Sequence, residues 1–372
     1  MKKILMVIAR LNVGGTSKFL YQLSKNLPKK GYQVRVLTGN VQGNEKEDTV
    51  VFDMPIVRLP HLGRKINPLR DILARNEIKS EIIDFKPDII YSHTFKAGLL
   101  VRTLKLSQPV IHAFHGHSLT TPEFGRITRK VLIGIEKKLA TRSTKIVTVG
   151  EKVGKDLLQA GIGKKDQYIS IAPGVSIPKK IDKSKAKSIL GINYSSKVVV
   201  SWLGRFTSVK GPERVIEIAK SIPDAIFVMA GGGELFEAVH GKSPSNLILV
   251  GWQDSNLIYS ISDLVINTSL SEGMPVTLIE AQLAGLPVIA IDHGSVSETV
   301  SNNVSGLVFS EFSNDFIKGV ETLVRDDRLR KKLGNQAKIL ASEKFLPDVM
   351  IQEHIKLFES VIRNHAYKPH SS

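Results

Sequence analysis

The sequence predicts an α/β protein built from two doubly wound domains. The chain has 372 residues, which at about 150 residues per domain suggests two domains. Short apolar runs alternate with helical stretches, and most runs are uniformly apolar, as expected of parallel strands covered on both faces. The alternation stops at a stretch rich in Pro, Gly and Lys over residues 172–180 and then restarts. This pattern indicates one domain over residues 1–175 and a second over residues 176–346.

The first domain is expected to alternate strands and helices in the manner of an open parallel sheet. The predicted strands are Ile4–Ala9, Gln33–Thr38, Ile89–Ser92, Val110–Phe114 and Ile146–Val149. The predicted helices include Lys18–Leu27, Leu69–Asp84 and Arg126–Ala140. The first strand imitates a signal peptide, but its apolar stretch ends at Arg10 and is too short for one. No apolar run approaches the roughly 18 residues of a membrane-spanning helix, so we expect a cytoplasmic protein.

The second domain repeats the alternation and is followed by a terminal helix. The predicted strands are Val198–Leu203, Ala225–Ala230, Leu247–Val250, Leu264–Asn267, Val288–Ile291 and Gly306–Phe309. The predicted helices include Pro212–Ser221, Asn256–Ile261, Val276–Ala284 and Val296–Ser301. The last helix, over about residues 347–364, carries Ile351, Ile355, Phe358 and Ile362 on one face, which must dock on another element. Two such domains leave a cleft at the carboxyl ends of their strands, where we expect the ligand.

The composition excludes several classes of protein. There is no cysteine, which excludes disulfides and every zinc, iron–sulfur or thiol chemistry that depends on cysteine. The 42% hydrophobic content excludes a disordered chain. The formal charge of +17 favours an anionic partner, which could be nucleic acid, a membrane surface or a phosphorylated small molecule.

The positive charge is confined to the N-terminal half. Residues 1–175 carry 30 Lys and Arg against 14 Asp and Glu, a net charge of +16. Residues 176–372 carry 22 against 21, a net charge of +1. The asymmetry predicts that the two domains have different partners.

Two loops that follow the first strand of each domain are suited to phosphate. Gly14 and Gly15 lie between a strand and a helix, where the backbone can approach a ligand and the helix N-terminus offers free N–H groups. An ordinary strand-to-helix turn would look the same, and the dinucleotide fingerprint G-x-G-x-x-G is absent. In the second domain Arg205 and Lys210 lie in such a loop, bounded by glycines. They could clamp a diphosphate, or they could be two solvated cations.

A third motif places two carboxylates eight positions apart. Glu272 follows a predicted strand, and Glu280 lies one turn into the next helix. The loop between them offers backbone N–H groups for oxygen atoms; its residues include Gly273, Met274, Pro275 and Val276. Ionised carboxylates only accept hydrogen bonds, so the pair suits sugar hydroxyls. Alternatively, Glu272 is a helix N-terminal charge, and Glu280 lies on a solvated helix face, since Ile279, Leu283 and Ala284 supply the predicted core stripe.

His112 lies in a predicted strand of the first domain, and His115 and His117 follow it at a spacing that suggests a metal site. With no cysteine and no acid nearer than Glu123, a hydrogen bond from His115 to a ligand fits better than zinc. A histidine that caps its own loop is the remaining alternative. No D-x-D sequence is present to chelate a metal on a sugar nucleotide, so cations and helix ends must neutralise any phosphate.

Taken together and in order, these motifs resemble those of the retaining glycosyltransferases of family 4, which have the GT-B fold. The motifs that carry the resemblance are Gly14-Gly15, His115-Gly116, Gly204-Arg205 with Lys210-Gly211, Gly231-Gly232-Gly233-Glu234, Glu272 with Glu280, and Ala284-Gly285-Leu286-Pro287. The resemblance implies two Rossmann-like domains facing across a cleft, with the C-terminal segment 347–372 crossing back to the first domain.

The resemblance also implies a role for each motif. Arg205 and Lys210 would bind the donor diphosphate, and Glu280 the ribose. Glu272 and the backbone from Gly273 to Val276 would hold the donor sugar and phosphate. His115 would reach the donor sugar from the other domain. Gly14 and Gly15 would border the phosphate and the acceptor, and the loop Val250 to Trp252 would lie at the nucleobase.

The implied reaction is metal-independent hexosyl transfer from a nucleoside-diphosphate sugar, with UDP favoured, that keeps the anomeric configuration and needs no cofactor. The acceptor would be a lipid-linked or polysaccharide hydroxyl in cell-envelope glycan synthesis. The basic N-terminal domain would then contact the anionic inner face of the cytoplasmic membrane, in part through helix 126–140. Alternatively, the apolar stripe of this helix packs on the sheet and its basic face is solvated. The alternatives are a sugar-nucleotide epimerase on the same fold and a basic nucleic-acid-binding protein. Because no recognition-helix or aromatic RNA-binding signature is present, no nucleic-acid partner is expected.

Overall fold

The structure, a computed structural model, describes residues 1–42, 45–116, 125–194 and 197–366. The chain forms two compact units, each with its own parallel sheet. Unit 1 consists of Met1–Gly174 together with the chain from Pro347 onward, and unit 2 consists of Val175–Leu346.

The N-terminal part of unit 1 supplies the strands of a seven-stranded sheet. The strands are β1 (Lys2–Ile8), β2 (Tyr32–Thr38), β3 (Ile56–Arg58), β4 (Ile89–His93), β5 (Val110–Phe114), β6 (Lys145–Thr148) and β7 (Tyr168–Ser170). The helices are α1 (Gly15–Asn26), α2 (Pro68–Phe85), α3 (Thr94–Arg102), α4 (Arg126–Ala140) and α5 (Glu151–Gln159). The strand order is β3-β2-β1-β4-β5-β6-β7, so the winding reverses between β1 and β4.

Unit 2 has a six-stranded sheet in the order β10-β9-β8-β11-β12-β13, and its winding reverses between β8 and β11. The strands are β8 (Val199–Leu203), β9 (Ile226–Ala230), β10 (Leu247–Gly251), β11 (Leu264–Asn267), β12 (Val288–Ile291) and β13 (Gly306–Phe309). The helices are α6 (Lys183–Ile189), α7 (Glu213–Ser221), α8 (Phe236–His240), α9 (Ser255–Ile261), α10 (Val276–Leu283), α11 (Val296–Thr299), α12 (Asn314–Arg325) and α13 (Asp327–Phe345). The chain ends with α14 (Pro347–Ala366), which belongs to unit 1.

Both faces of the unit 1 sheet are covered, as the uniformly apolar strands predict. Helices α1 and α14 cover one face, where Phe19 and Phe358 are buried. Helices α2 and α3 cover the other face, where Ile78 and Val101 are buried. The prediction that the terminal helix returns to the first domain is therefore confirmed. Its apolar face contributes Ile351, Ile355, Phe358 and Ile362 to the core of unit 1 or to its margin.

Two strands escape sequence prediction. Strands β3 and β7 are three residues long and lie at the two edges of the unit 1 sheet. An edge strand packs on one neighbour only, so a short one leaves little apolar signal in the sequence. All the other strands coincide with a predicted run to within a few residues.

Helix α4 is buried only toward its C-terminal end. Leu139 is buried, but Ile127 is 81% exposed and Val131 is 56% exposed. The apolar stripe of this helix therefore does not pack on the sheet along its whole length. Over the residues that the structure describes, no helix is long and apolar enough to span a membrane.

Candidate active site

Two loops with predicted binding residues meet where the winding of the unit 2 sheet reverses. The loop with Arg205 and Lys210 follows β8, and the loop with Glu272 follows β11, the neighbour of β8 on the other side from β9. In open parallel sheets, ligands bind at the carboxyl ends of the strands at this reversal.

Lys210 and Glu272 form an ion pair in this place. Lys210 Nζ lies 2.6 Å from Glu272 Oε1, and the glutamate side chain is 8% exposed. The same oxygen accepts hydrogen bonds from Ser269 Oγ at 2.7 Å and from Asn267 Nδ2 at 3.0 Å. Burial raises the pKa of Glu272, whereas the Lys210 charge and these hydrogen bonds lower it. The lowering is the larger effect, so the pKa of Glu272 lies below its ordinary value.

The Glu272 carboxylate therefore has two unlike oxygens. Oε1 is saturated by three protein donors, whereas Oε2 has no partner among the described residues. An ionised oxygen of this kind accepts hydrogen bonds, so Oε2 suits a ligand hydroxyl.

The loops after β8 and β11 are joined by their backbones and by a buried side chain. Leu270 N donates to Val209 O at 2.7 Å, and Trp202 Nε1 donates to Thr268 Oγ1 at 3.0 Å. These bonds hold Lys210 and Glu272 in register. Arg205 differs from Lys210, because it is exposed and pairs with no carboxylate in the described part of the chain.

Two glycines allow neighbouring loops to approach the site. A Cβ on Gly231 would lie 1.8 Å from Gly204 O, and a Cβ on Gly294 would lie 1.7 Å from Glu272 O. Both residues have positive φ values, +136° and +63°. The loop after β12 thus rests directly on the Glu272 backbone, where Ser295 N also donates to Gly273 O at 2.9 Å.

Glu280 is buried, which corrects the expectation that it is not a core position. It is 7% exposed, and its Oε2 accepts a hydrogen bond from Tyr259 Oη at 2.9 Å. Helix α10 is covered by the sheet on one side and contacts α13, so six of its eight side chains are buried. Ala284, predicted to be in the core stripe, is exposed instead. Glu280 is therefore a buried carboxylate held by a hydrogen bond, and it does not lie on a solvated helix face.

Val250 and Trp252 lie at the end of β10, two strands away from β8. Trp252 is half exposed, and its indole lies against Gly232, where an added Cβ would be 2.5 Å from Trp252 Nε1. The glycine loop after β9 therefore sits between Trp252 and the loop of Arg205.

In unit 1 the corresponding reversal lies between β1 and β4. Gly14 and Gly15 stand at the start of α1, after β1, and His115 follows β5, the neighbour of β4. Phe19 of α1 contacts the His115 ring at a centroid distance of 4.9 Å. Burial lowers the pKa of His115 to about 3, so the ring is neutral at physiological pH.

Among the described residues, His115 contacts the end of another strand and not its own loop. Its Nε2 lies 3.0 Å from Nδ1 of His93 at the end of β4. His112 points elsewhere, with its Nδ1 3.0 Å from Ser92 Oγ, and His117 lies outside the described residues. Across the residues that the structure describes, no group of three or more His, Asp or Glu side chains could hold a metal ion.

Comparison with known proteins decides the family. The model of the group 1 glycosyl transferases matches residues 182–339, and that of glycosyltransferase family 4 matches residues 13–177. The chain belongs to the group 1 glycosyltransferases of family 4. The matched segments contain all of the motifs that carry the resemblance, and the terminal helix α14 lies outside them.

Individual relatives of this glycosyltransferase share less than a third of its residues. An Escherichia coli protein, UDP-Gal:alpha-D-GlcNAc-diphosphoundecaprenol alpha-1,3-galactosyltransferase, is 29% identical over 73% of this chain and 75% of its own length. The O-antigen biosynthesis glycosyltransferase WbnH of Escherichia coli is 23% identical over 97% of this chain and 99% of its own.

Solved structures show the same fold. Sucrose-phosphate synthase from Thermosynechococcus elongatus has a TM-score of 0.85 at 17% identity, covering 98% of this chain and all of the other. Anabaena HepE, solved in complex with UDP and glucose, has a TM-score of 0.82 at 19% identity, covering 97% of this chain and all of the other. The fold of this glycosyltransferase is GT-B, as predicted.

Sequence reasoning missed several residues that contact the predicted site residues of this glycosyltransferase. They are His93, Tyr259, Asn267, Ser269 and Gly294. Asn267 and Ser269 carry a local signal, because they are polar residues at and just after the end of a buried apolar strand, close to Glu272 in the chain. Tyr259 lies on α9 and Gly294 in the loop after β12, and neither carries a local signal.

Proposed function

We propose that this glycosyltransferase moves a hexosyl unit from a UDP-sugar to a hydroxyl of a lipid-linked or glycan acceptor, with retention of the anomeric configuration. The Lys210–Glu272 pair at the sheet reversal carries the proposal, because it places a cation for a diphosphate beside an acceptor oxygen for a sugar hydroxyl. The name of the Escherichia coli relative, which includes UDP-Gal and a diphosphoundecaprenol, and the UDP complex of HepE support the choice of donor and acceptor.

The remaining roles follow from the residues of each loop. Arg205, exposed and without a carboxylate partner in the described chain, binds the diphosphate together with Lys210. Glu280 accepts from the ribose hydroxyls, with Tyr259 holding its carboxylate. The backbone from Gly273 to Val276 binds donor oxygens, and Val250 and Trp252 lie at the nucleobase. In unit 1, His115 binds the donor sugar, and Gly14 and Gly15 border the phosphate and the acceptor.

In this proposal, the enzyme accelerates sugar transfer by electrostatic stabilisation of the leaving group. Negative charge develops on the departing diphosphate, and Arg205 and Lys210 are placed to stabilise it without a metal. Glu272 is a weak nucleophile, because its ion pair and its hydrogen bonds stabilise the carboxylate charge and keep its pKa below the ordinary value. We therefore favour a front-face route, in which the leaving phosphate accepts the acceptor proton, over a covalent glycosyl-enzyme.

A nucleotide-sugar panel tests the donor. UDP-sugars should raise the Tm of the protein, and the stabilising donor should be consumed faster when an acceptor is present. Arg205→Ala and Lys210→Ala should each reduce turnover on the order of 10²-fold. Lys183→Ala is the matched control, since Lys183 pairs with Asp263 at 2.7 Å on the surface of the same unit. The proposal is wrong if no nucleotide sugar binds, or if conversion of the sugar needs no acceptor, as for an epimerase.

The acceptor part of the proposal depends on two exposed apolar turns of unit 1. Helix α4 exposes Ile127 and Val131 beside the cations Arg126 and Lys130. The first turns of α2 and the residue before its N-cap expose a second set, beside Arg64, Lys65 and Arg70: Ile66, Leu69, Ile72 and Leu73. Exposed apolar residues flanked by cations are typical of surfaces that bind anionic membranes. The net charge of +16 in residues 1–175 agrees with this partner.

Liposome flotation tests the membrane contact. The protein should float with vesicles that contain anionic phospholipid and remain behind with neutral ones. The pairs Ile127→Ser with Val131→Ser, and Leu69→Ser with Ile72→Ser, should each weaken binding several-fold. Ile339→Ser is the control, because Ile339 is an exposed isoleucine of unit 2. Equal binding to neutral vesicles would remove the electrostatic contribution, and no binding to either would remove the membrane contact.

A further inference from the structure

His115 belongs to a buried cluster of rings drawn from separate elements of unit 1. Phe19 of α1 contacts the rings of His93, His115 and His354 at centroid distances of 6.1, 4.9 and 5.4 Å. The Tyr91 ring lies 4.2 Å from the His93 ring. His93 and His354 are fully buried. The family motifs explain His115 but assign nothing to the histidines beneath it.

The proton of His354 can be placed from its partners. Its Nδ1 lies 2.8 Å from the carbonyl oxygen of Met350, which can only accept, so Nδ1 carries the proton. Its Nε2 then accepts from Tyr91 Oη at 3.2 Å. Helix α14 thereby fixes the Tyr91 ring, which lies against His93.

The hydrogen bond between His93 and His115 has two possible directions. His93 Nδ1 and His115 Nε2 are 3.0 Å apart, and one proton lies between them, because burial keeps both rings neutral by lowering the pKa of each. If His115 donates, His93 must carry a proton on Nε2. That atom is buried and has no partner in the described structure. If His93 donates, its Nε2 has only an unused lone pair, which is a smaller penalty than a buried N–H without an acceptor.

We propose that His93 is a positioning residue that donates from Nδ1 to His115 Nε2, so that His115 carries its own proton on Nδ1 and faces its ligand as a hydrogen-bond donor. This inference rests on the proposed function, in which His115 binds the donor sugar. It adds that the group recognised by His115 is an accepting oxygen of the sugar. No partner for His115 Nδ1 is present among the described residues, so this N–H is open to a ligand.

The backbone beside His93 supports a positioning role. Thr94 follows directly and has a φ of +67°, in the left-handed region, which is rare for a β-branched residue. Such strain persists where the surroundings over-determine the conformation, and it is enriched at functional sites. At the junction of β4 and α3, this turn fixes the position from which His93 reaches His115.

Paired amide substitutions test the direction of the hydrogen bond. An asparagine amide reaches about as far as Nδ1 of histidine, and a glutamine amide about as far as Nε2. With a UDP-sugar donor, we expect His115→Asn to retain on the order of tenfold more kcat/KM than His115→Gln. We expect His93→Asn, which keeps a donor, to stay within a few-fold of the wild type, and His93→Leu to lose on the order of tenfold or more. Equal activities within both pairs, or the reverse order, would overturn the proposal.

Nuclear magnetic resonance gives a readout that needs no activity. In the free wild-type protein, ¹⁵N spectra of the histidine side chains should show His115 protonated at Nδ1 and unprotonated at Nε2. In His93→Leu, His115 should shift toward a mixture of the two tautomers. A wild-type His115 protonated at Nε2 would overturn the inference even if the enzyme transfers sugar. If no nucleotide sugar is used, the proposed function fails, while the tautomer result is decided separately.

Discussion

Lys210 and Glu272 are 62 residues apart in the chain, yet their charged groups lie 2.6 Å apart in unit 2. The topology of the sheet explains the pair. Lys210 follows β8 and Glu272 follows β11, and these strands are neighbours because the winding reverses between them. A cation and a largely buried carboxylate are thus brought to the place in the fold where ligands bind.

Removing one partner of this pair should reduce both activity and stability. In Lys210→Met the Glu272 carboxylate keeps two donors but loses its counter-charge, and we expect a loss of about 1–3 kcal/mol in the free energy of unfolding. We expect kcat/KM to fall on the order of 10²–10³-fold in both Lys210→Met and Glu272→Gln.

Tryptophan fluorescence during urea unfolding measures the stability term. Both tryptophans of the chain, Trp202 and Trp252, lie in unit 2, so the signal reports that unit. Lys183→Met provides the control for loss of a lysine ion pair at the surface. A full loss of activity with no change in donor affinity would contradict the binding role.

Gly294→Ala should disable the donor site without a change of charge. Its Cβ would lie 1.7 Å from Glu272 O, at a φ of +63°, so the loop after β12 must move away from the Glu272 loop. We expect a loss of nucleotide-sugar binding by at least tenfold, measured by calorimetry. Gly241→Ala is the control, because its Cβ would meet only Glu237 O, at an ordinary 3.5 Å. Unchanged binding in Gly294→Ala would show that the loop is not part of the site.

Tyr259→Phe should weaken donor binding more than it slows the reaction. The tyrosine hydroxyl donates to Glu280 Oε2 at 2.9 Å, and its loss removes one bond worth about 1 kcal/mol from a buried carboxylate. If Glu280 binds the ribose in ground state and transition state alike, KM should rise about fivefold with little change in kcat. Steady-state kinetics measure the split. Tyr32→Phe is the control, since the buried Tyr32 hydroxyl has no partner in the described structure.

The buried histidines should make unit 1 less stable in mild acid. Burial lowers the pKa of His354 from its ordinary 6.5 to about 4. The unfolded chain therefore takes up a proton before the folded one, so stability is fully present above pH 6.5 and falls as the pH approaches 4. The loss attributable to His354 is about 3 kcal/mol. The opening free energy of the β4 amides, obtained from hydrogen exchange, should depend less steeply on pH in His354→Asn than in the wild type. Equal slopes would contradict the assignment to His354.

Arg102 and Glu136 should be coupled in the stability of unit 1. Their side chains are fully buried and join α3 to α4, with Nη2 2.8 Å from Oε1. Removing one partner leaves a buried charge, so Arg102→Met should cost about 3–5 kcal/mol in the free energy of unfolding. The double variant Arg102→Met with Glu136→Met should recover most of this loss. Urea unfolding followed by far-UV circular dichroism gives the double-mutant cycle, and additive losses would exclude the coupling.

Local pattern predicts most of this fold and part of the site. Strand β11 (Leu264–Asn267) is recognised because it is a buried apolar run, and the loop of Glu272 because its Gly and Pro precede a helical pattern. The same reasoning places Ala284 in the core and Glu280 outside it, and both placements are wrong. Helix α10 is covered on more than one side, and helical periodicity assumes a single buried face.

The sequence by itself determined the two parallel sheets, the GT-B family and the confinement of positive charge to residues 1–175, because all of these depend on composition, periodicity and short motifs. Only the tertiary structure decided the pairing of Lys210 with Glu272, the burial of Glu280 against Tyr259, and the contact of His115 with His93. Each of these joins residues from different strands or helices. Strand order and helix packing bring them together, and neither can be read from the neighbourhood of a residue in the chain.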